Sequence, residues 1–186
     1  MKNTVIFFSS CATDSAGKPD VFLLQELPWL LEHFDRVAVC GYYGVAELTD
    51  PHPEKITTVR PALGELRAKL RTPFSPELWR ELRHLRRDGG LTPTNAGKLL
   101  LFAFRARMLA NWAETLLHKG ERTTLYSYWM SYDGCAAALC KRRHPEARAL
   151  ARGHAFDVDV ERNPMNPYLM KAFLARTLDG LYPISQ

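Results

Sequence analysis

Apolar positions along the chain fall into short continuous runs separated by stretches of helical spacing. Val5–Ser9 reads as a buried strand, followed by a polar loop, Ser10–Asp20. From Val21 to Phe34 the apolar residues Phe22, Leu23, Leu27, Leu30, Leu31 and Phe34 recur at i, i+3, i+4 intervals, which predicts a helix with Asp20 as its N-cap. Arg36–Cys40 is a second strand, closed by Gly41 and Gly44, and Ile56–Val59 a third. The middle turns helical and basic. Leu63–Leu70 and Pro76–Arg87 carry apolar residues on one face, Asp88-Gly89-Gly90 stops the second of them, and Asn95–His118 reads as one long helix. Alternation then resumes. A strand over Thr123–Trp129 precedes a helix over Asp133–Arg143, and a strand over Ala147–Arg152 precedes a helix over Asn166–Leu178. A final strand covers Leu181–Ser185.

This order predicts an α/β fold: a Rossmann-like, doubly wound, mostly parallel sheet with helices on both faces. Such sheets bind ligands beyond the carboxyl ends of their strands, where strand order reverses. The segments Ser9–Asp20, Gly41–Gly44, Ser127–Tyr132 and Gly153–Asp157 fall there. The whole of 1–186 reads as one domain with a basic helical insertion at about 63–119.

Composition narrows this picture only slightly. A hydrophobic fraction of 46% supports a real core, and a net charge of +5 with a pI of about 9.1 admits an anionic partner without choosing one. Val5–Phe8 is too short for a signal peptide core, and the longest apolar stretch, Leu99–Ala110, is interrupted by Arg105 and Arg107. The four cysteines form no CxxC pair and read as reduced thiols in a cytoplasmic protein. No GxGxxG follows the first strand, and neither GxxxxGK[ST] nor GxSxG occurs. Cys135 and His144 are no catalytic pair, since nothing in the sequence orients them.

The last third carries the most information. Tyr128-Trp129 ends a strand, Arg152-Gly153-His154-Ala155-Phe156-Asp157 ends the next, and Pro183-Ile184-Ser185 ends the last. Together with FLLQELPWLLEHFDRVAVC near the start, these resemble glycosyltransferase family 4, particularly enzymes that build bacterial exopolysaccharide and capsule repeats. The chain departs from that pattern at Asp159, where relatives often have Tyr, and in its glycine-poor first loop.

The resemblance implies the amino-terminal, acceptor-side half of a GT-B enzyme. Such an enzyme retains anomeric configuration, uses a nucleotide-diphosphate sugar donor and a lipid-linked or saccharide acceptor, and needs no metal or other cofactor. The donor-binding domain is expected beyond Ser185, so residues 1–186 alone are expected to be inactive. His154 is then the catalytic candidate, facing the transferred sugar, although position alone equally fits a histidine satisfied by local backbone. Asp157 either accepts from an acceptor hydroxyl or caps a turn. Arg152 pairs with Asp157 or with phosphate, Tyr128 and Trp129 stack on sugar or join the core, and Glu26 supports the loop after the first strand. Gly153, Phe156, Ser10 and Asp14 complete the expected substrate contacts. Arg80, Arg83, Arg86 and Arg87, with Phe74 and Trp79 nearby, form either a solvated face or a patch for an anionic membrane. The latter places the protein peripherally on the inner face of the cell membrane. No nucleic-acid motif occurs. The reading from another class is a stand-alone module that binds a saccharide or phosphorylated ligand without catalysis.

Overall fold

The computed structural model describes residues 2–9, 21–41, 54–59 and 65–183. Six parallel strands form one sheet in the order β3-β2-β1-β4-β5-β6. They are β1 (Asn3–Phe8), β2 (Arg36–Cys40), β3 (Ile56–Val59), β4 (Arg122–Ser127), β5 (Arg148–Gly153) and β6 (Gly180–Pro183). Strand order reverses between β1 and β4, so the fold has its switch point there. Helix α1 (Val21–His33) connects β1 to β2. Helices α2 (Leu66–Arg71), α3 (Pro76–Arg87) and α4 (Pro93–Glu114) lie between β3 and β4, and α5 (Tyr132–Arg143) joins β4 to β5. A short α6 (Ala155–Val158) and α7 (Lys171–Thr177) lead to β6.

The strand sequences explain the layering. In β1 every residue from Thr4 to Phe8 is buried, as expected of a strand covered on both faces. Ile6 and Phe8 point into a core with Leu99 and Leu109 of α4 and the small residues of α5, while Val5 and Phe7 pack with Leu23, Leu27 and Leu30 of α1. The run Gly134–Cys140 of α5 is wholly buried, and its lack of bulk lets the helix lie close to both sheet and α4. In β4 and β5 burial alternates instead. Leu125, Ser127, Ala149 and Ala151 are buried, whereas Tyr126, Leu150 and Arg152 are half-buried on the α1 side, so α1 covers only part of that face.

Several predicted elements shift. The strand expected through Trp129 stops at Ser127, whose hydroxyl donates to the Trp129 carbonyl at 2.7 Å and turns the chain out of the sheet. The long helix begins at Pro93, capped by Thr92 accepting from the Asn95 N–H at 3.1 Å, and ends at Glu114 rather than His118. The helix expected over Asn166–Leu178 is broken. Asn166–Tyr168 is a 3₁₀ turn, Met170 is left-handed with φ of 58°, and the helix starts at Lys171. The cause is Asn166, whose side-chain amide donates to the Phe156 and Asp159 carbonyls at 2.9 and 2.8 Å and fastens that turn to the segment after β5. Asp20, Ser10, Asp14, Gly44, Leu63, Ile184 and Ser185 lie outside the described residues.

Candidate functional site

At the carboxyl edge of the sheet β4 and β5 leave side by side, and one carboxylate ties their exits together. Asp157 accepts the Met130 N–H at 3.1 Å and the His154 N–H at 3.2 Å on the same oxygen, while its own N–H donates to the His154 carbonyl at 2.9 Å. Asp157 is only 5% exposed, and burial raises its pKa against the opposing pull of those N–H groups. Its first role is therefore to hold two loops in register, the capping alternative of the sequence reading.

Held this way, the imidazole of His154 enters an aromatic group. Its ring centroid lies 4.1 Å from Trp129, 4.8 Å from Tyr128 and 6.2 Å from Phe22 at the start of α1. Tyr128 is buried and packs on Phe22 and Phe7, so it belongs to the core; Trp129 and His154 remain half-exposed. Burial lowers the His154 pKa below the usual histidine value, although nearby Asp157 and a backbone hydrogen bond with Tyr128 oppose the shift, so the fold favours the neutral ring. Its Nε2 meets no hydrogen-bond partner among the described residues. A Cβ at Gly153 would come within 2.9 Å of the Met130 sulfur, so a larger residue there would push the Met130 side chain aside.

Arg152 lies on the α1 side of this group, over Tyr128. It pairs with Glu26 of α1, which also accepts from the Tyr126 hydroxyl at 3.0 Å, and its guanidinium lies 5.5 Å from the centre of the Tyr128 ring. Its partner within the described residues is thus Glu26 and not Asp157. Glu26 supports Arg152 and β4 across the sheet face, and the loop expected to bond it, after β1, lies outside the described residues. These residues, with Trp29 and Tyr182, line a cleft of about 510 Å³ on the uncovered part of that face.

A second cleft, of about 460 Å³, opens on the other side of Asp157, between α4, the start of α5 and the chain after β5. Phe156 lies in its wall, as do Lys98, Arg105, Arg162 and Lys171. Lys171 donates to the Met130 carbonyl, and burial lowers its pKa to about 8 although Asp157 opposes the shift. Sequence reasoning overlooked this lysine. One signal was available: a cation at the first position of a helix opposes the helix dipole and needs another reason to be there.

The basic residues Arg80, Arg83, Arg86 and Arg87 are exposed on α3, with Arg87 paired to Asp88 at 2.9 Å. Phe74 is 83% and Trp79 55% exposed beside them, whereas Leu78 and Leu85 on the opposite side enter the core. No helix of the described residues is long and apolar enough to cross a membrane. Among the described residues no group of His, Cys, Asp and Glu is arranged to hold a metal ion. Cys40, Cys135 and Cys140 are buried free thiols. Burial pushes the Cys135 pKa up to about 12, so that sulfur is no nucleophile. Compared with known proteins, the chain matches no family model and no curated sequence.

Proposed function

We propose that this chain is the acceptor-side domain of a retaining GT-B glycosyltransferase that moves a sugar from a nucleotide diphosphate to a lipid-linked or saccharide acceptor. The observation that carries the reading is the pairing of His154 with Trp129: an imidazole just past β5, its ring centroid 4.1 Å from the half-exposed indole and close to the switch point. A doubly wound sheet puts its ligands at this edge, and an indole face next to an imidazole suits a sugar ring with hydroxyls at its rim.

In the proposed reaction the acceptor hydroxyl oxygen takes the place of the diphosphate at the anomeric carbon, and the hydroxyl proton leaves with the diphosphate. His154 holds a hydroxyl of the transferred sugar by one hydrogen bond and so fixes the ring as charge grows on the leaving oxygen. Asp157 keeps the imidazole in place through the backbone, and the Glu26–Arg152 pair braces the strand beneath it. Exposed Phe74 and Trp79, with the arginines of α3, support a peripheral station on an anionic membrane, where a lipid-linked acceptor resides.

The test is sugar transfer by the enzyme in which this domain is joined to a donor-binding domain. His154→Phe keeps an aromatic ring but removes both nitrogens, and it lowers kcat by about 10²–10³, the range for loss of one such hydrogen bond. Wild-type turnover in a folded variant would remove His154 from the site. The cations of the second cleft favour one other reading, a module that binds a phosphorylated saccharide without turnover. It is distinguished by saturable binding with no transfer in any joined form.

A further inference from the structure

The cleft beyond Asp157 combines two chemistries. Its cations come from three parts of the chain: Lys98 and Arg105 from α4, Arg162 from the segment after β5, and Lys171 from the start of α7. Two carboxylates of the described residues lie beside them, and both are engaged. Asp157 accepts two main-chain N–H groups, and Asp159 lies 3.4 Å from Arg162. Arg105 is held with its guanidinium carbon 5.4 Å from the centre of the Tyr132 ring, at the amino end of α5. The ammonium of Lys171, half-buried, has the Met130 carbonyl as its acceptor, and an ammonium carries three N–H donors. Bringing three or four cations to one half-enclosed wall costs self-repulsion and desolvation. Burial lowers the Lys171 pKa to about 8, which is the desolvation part of that cost. An anion bound among them relieves it.

The same cleft is also greasy. Leu101 is 46% and Phe156 59% exposed, although both line it, and Phe102, Met165 and Leu169 lie behind them. Exposed apolar side chains that share a concave surface with cations fit a ligand with a charged head and an apolar body.

We infer that this cleft binds the phosphate or diphosphate group of an amphiphilic ligand, the anion between Lys98, Arg105 and Lys171 and the apolar part over Leu101 and Phe156. The inference goes beyond sugar transfer and does not depend on it, because it concerns binding to this cleft alone. Arginine and lysine hold phosphate by charge-assisted hydrogen bonds, and each is worth on the order of tenfold or more in affinity.

Isothermal titration of the 186-residue chain tests it with three probes: octyl phosphate below its micelle concentration, inorganic phosphate, and octyl glucoside as the uncharged amphiphile. Octyl phosphate is expected to bind saturably and tightest, inorganic phosphate more weakly and octyl glucoside weakest. Arg105→Gln and Lys98→Gln should each lower octyl phosphate affinity on the order of tenfold. Phe156→Ser should weaken octyl phosphate but not inorganic phosphate. Arg148→Gln, the same charge change at the opposite end of β5, should leave binding unchanged. Circular dichroism of each variant reports its folding. The proposal is overturned by absence of octyl phosphate binding, or by equal losses in Arg148→Gln and Arg105→Gln. Equal affinity for inorganic and octyl phosphate overturns its amphiphilic half and leaves a site for free phosphate, and octyl glucoside binding as tightly as octyl phosphate overturns the anionic half.

Discussion

His154 and Trp129 leave adjacent parallel strands and meet with ring centroids 4.1 Å apart and planes inclined by 36°. The histidine is therefore not a bare side chain standing in a cleft. Its ring is one wall of a group that includes Tyr128 and Phe22, so truncation removes packing as well as nitrogen. His154→Ala should lower stability by about 1 kcal/mol, the scale of one or two lost aromatic contacts, whereas His154→Phe should cost less. Thermal denaturation of both variants separates the two effects. Equal melting temperatures for wild type and His154→Ala would show that the ring supports nothing.

Asp157 serves two N–H groups with one oxygen. Asp157→Ala leaves both without that acceptor in a buried place and should destabilise the fold by about 2 kcal/mol. Asp157→Asn, which keeps an acceptor oxygen, should cost less than half as much. Urea denaturation gives both numbers, and indistinguishable losses would contradict the register role.

Lys171 predicts a pH signature. Its pKa is about 8 in the fold and returns to about 10.5 on unfolding. Between those values the unfolded chain binds the extra proton, so stability rises with pH. Below pH 8 the cost of burying the charge is fully present, and it amounts to about 3 kcal/mol at most. Lys171→Met should abolish that rise, and it should also let the Asp157 pKa climb, because the ammonium holds that carboxyl down. Asp157 and Cys135 are its charged or titratable neighbours; the Cys135 pKa goes from 9.0 in the unfolded chain to about 12 in the fold and opposes the rise above pH 9, so the Lys171 contribution is read as the difference between wild type and Lys171→Met.

Much of the frame was legible in the sequence because its strands carry their own signature. The unbroken apolar runs of β1 and β2 say that both faces are covered, whereas the half-exposed face of β4 and β5 emerged only in the fold. Other features were hidden because their causes are distant in the chain. Nothing local to Asn166–Leu178 reveals that the Asn166 amide bonds two carbonyls after β5 and that Met170 turns left-handed. The partner of Arg152 is on α1, so a motif read along β5 pointed to Asp157 or to phosphate. His154 was found from its position at a strand end. Its aromatic neighbours and the cationic cleft needed the folded chain, since residues spaced along α4 or α7 look like ordinary surface until those helices face each other across a cavity.

The exposed face of α2 and α3 should bind vesicles carrying anionic lipid, and added salt should weaken the binding. Neutralising Arg80, Arg83 and Arg86 together should reduce the bound fraction several-fold, at roughly 1 kcal/mol per charge near the surface. Phe74→Ser with Trp79→Ser should reduce it at constant charge. Flotation that ignores lipid charge would mark the face as ordinary solvated surface.

The central claim is that the imidazole beside Trp129 meets a sugar, and its own NMR signals test this most directly. The chain is titrated with nucleotide-diphosphate sugars and with oligosaccharides at millimolar concentration while the His154 ring and the Trp129 indole N–H are followed. Saturable shifts at both residues with at least one saccharide, lost in His154→Phe, are predicted. Ring signals that stay fixed throughout every titration would contradict the account.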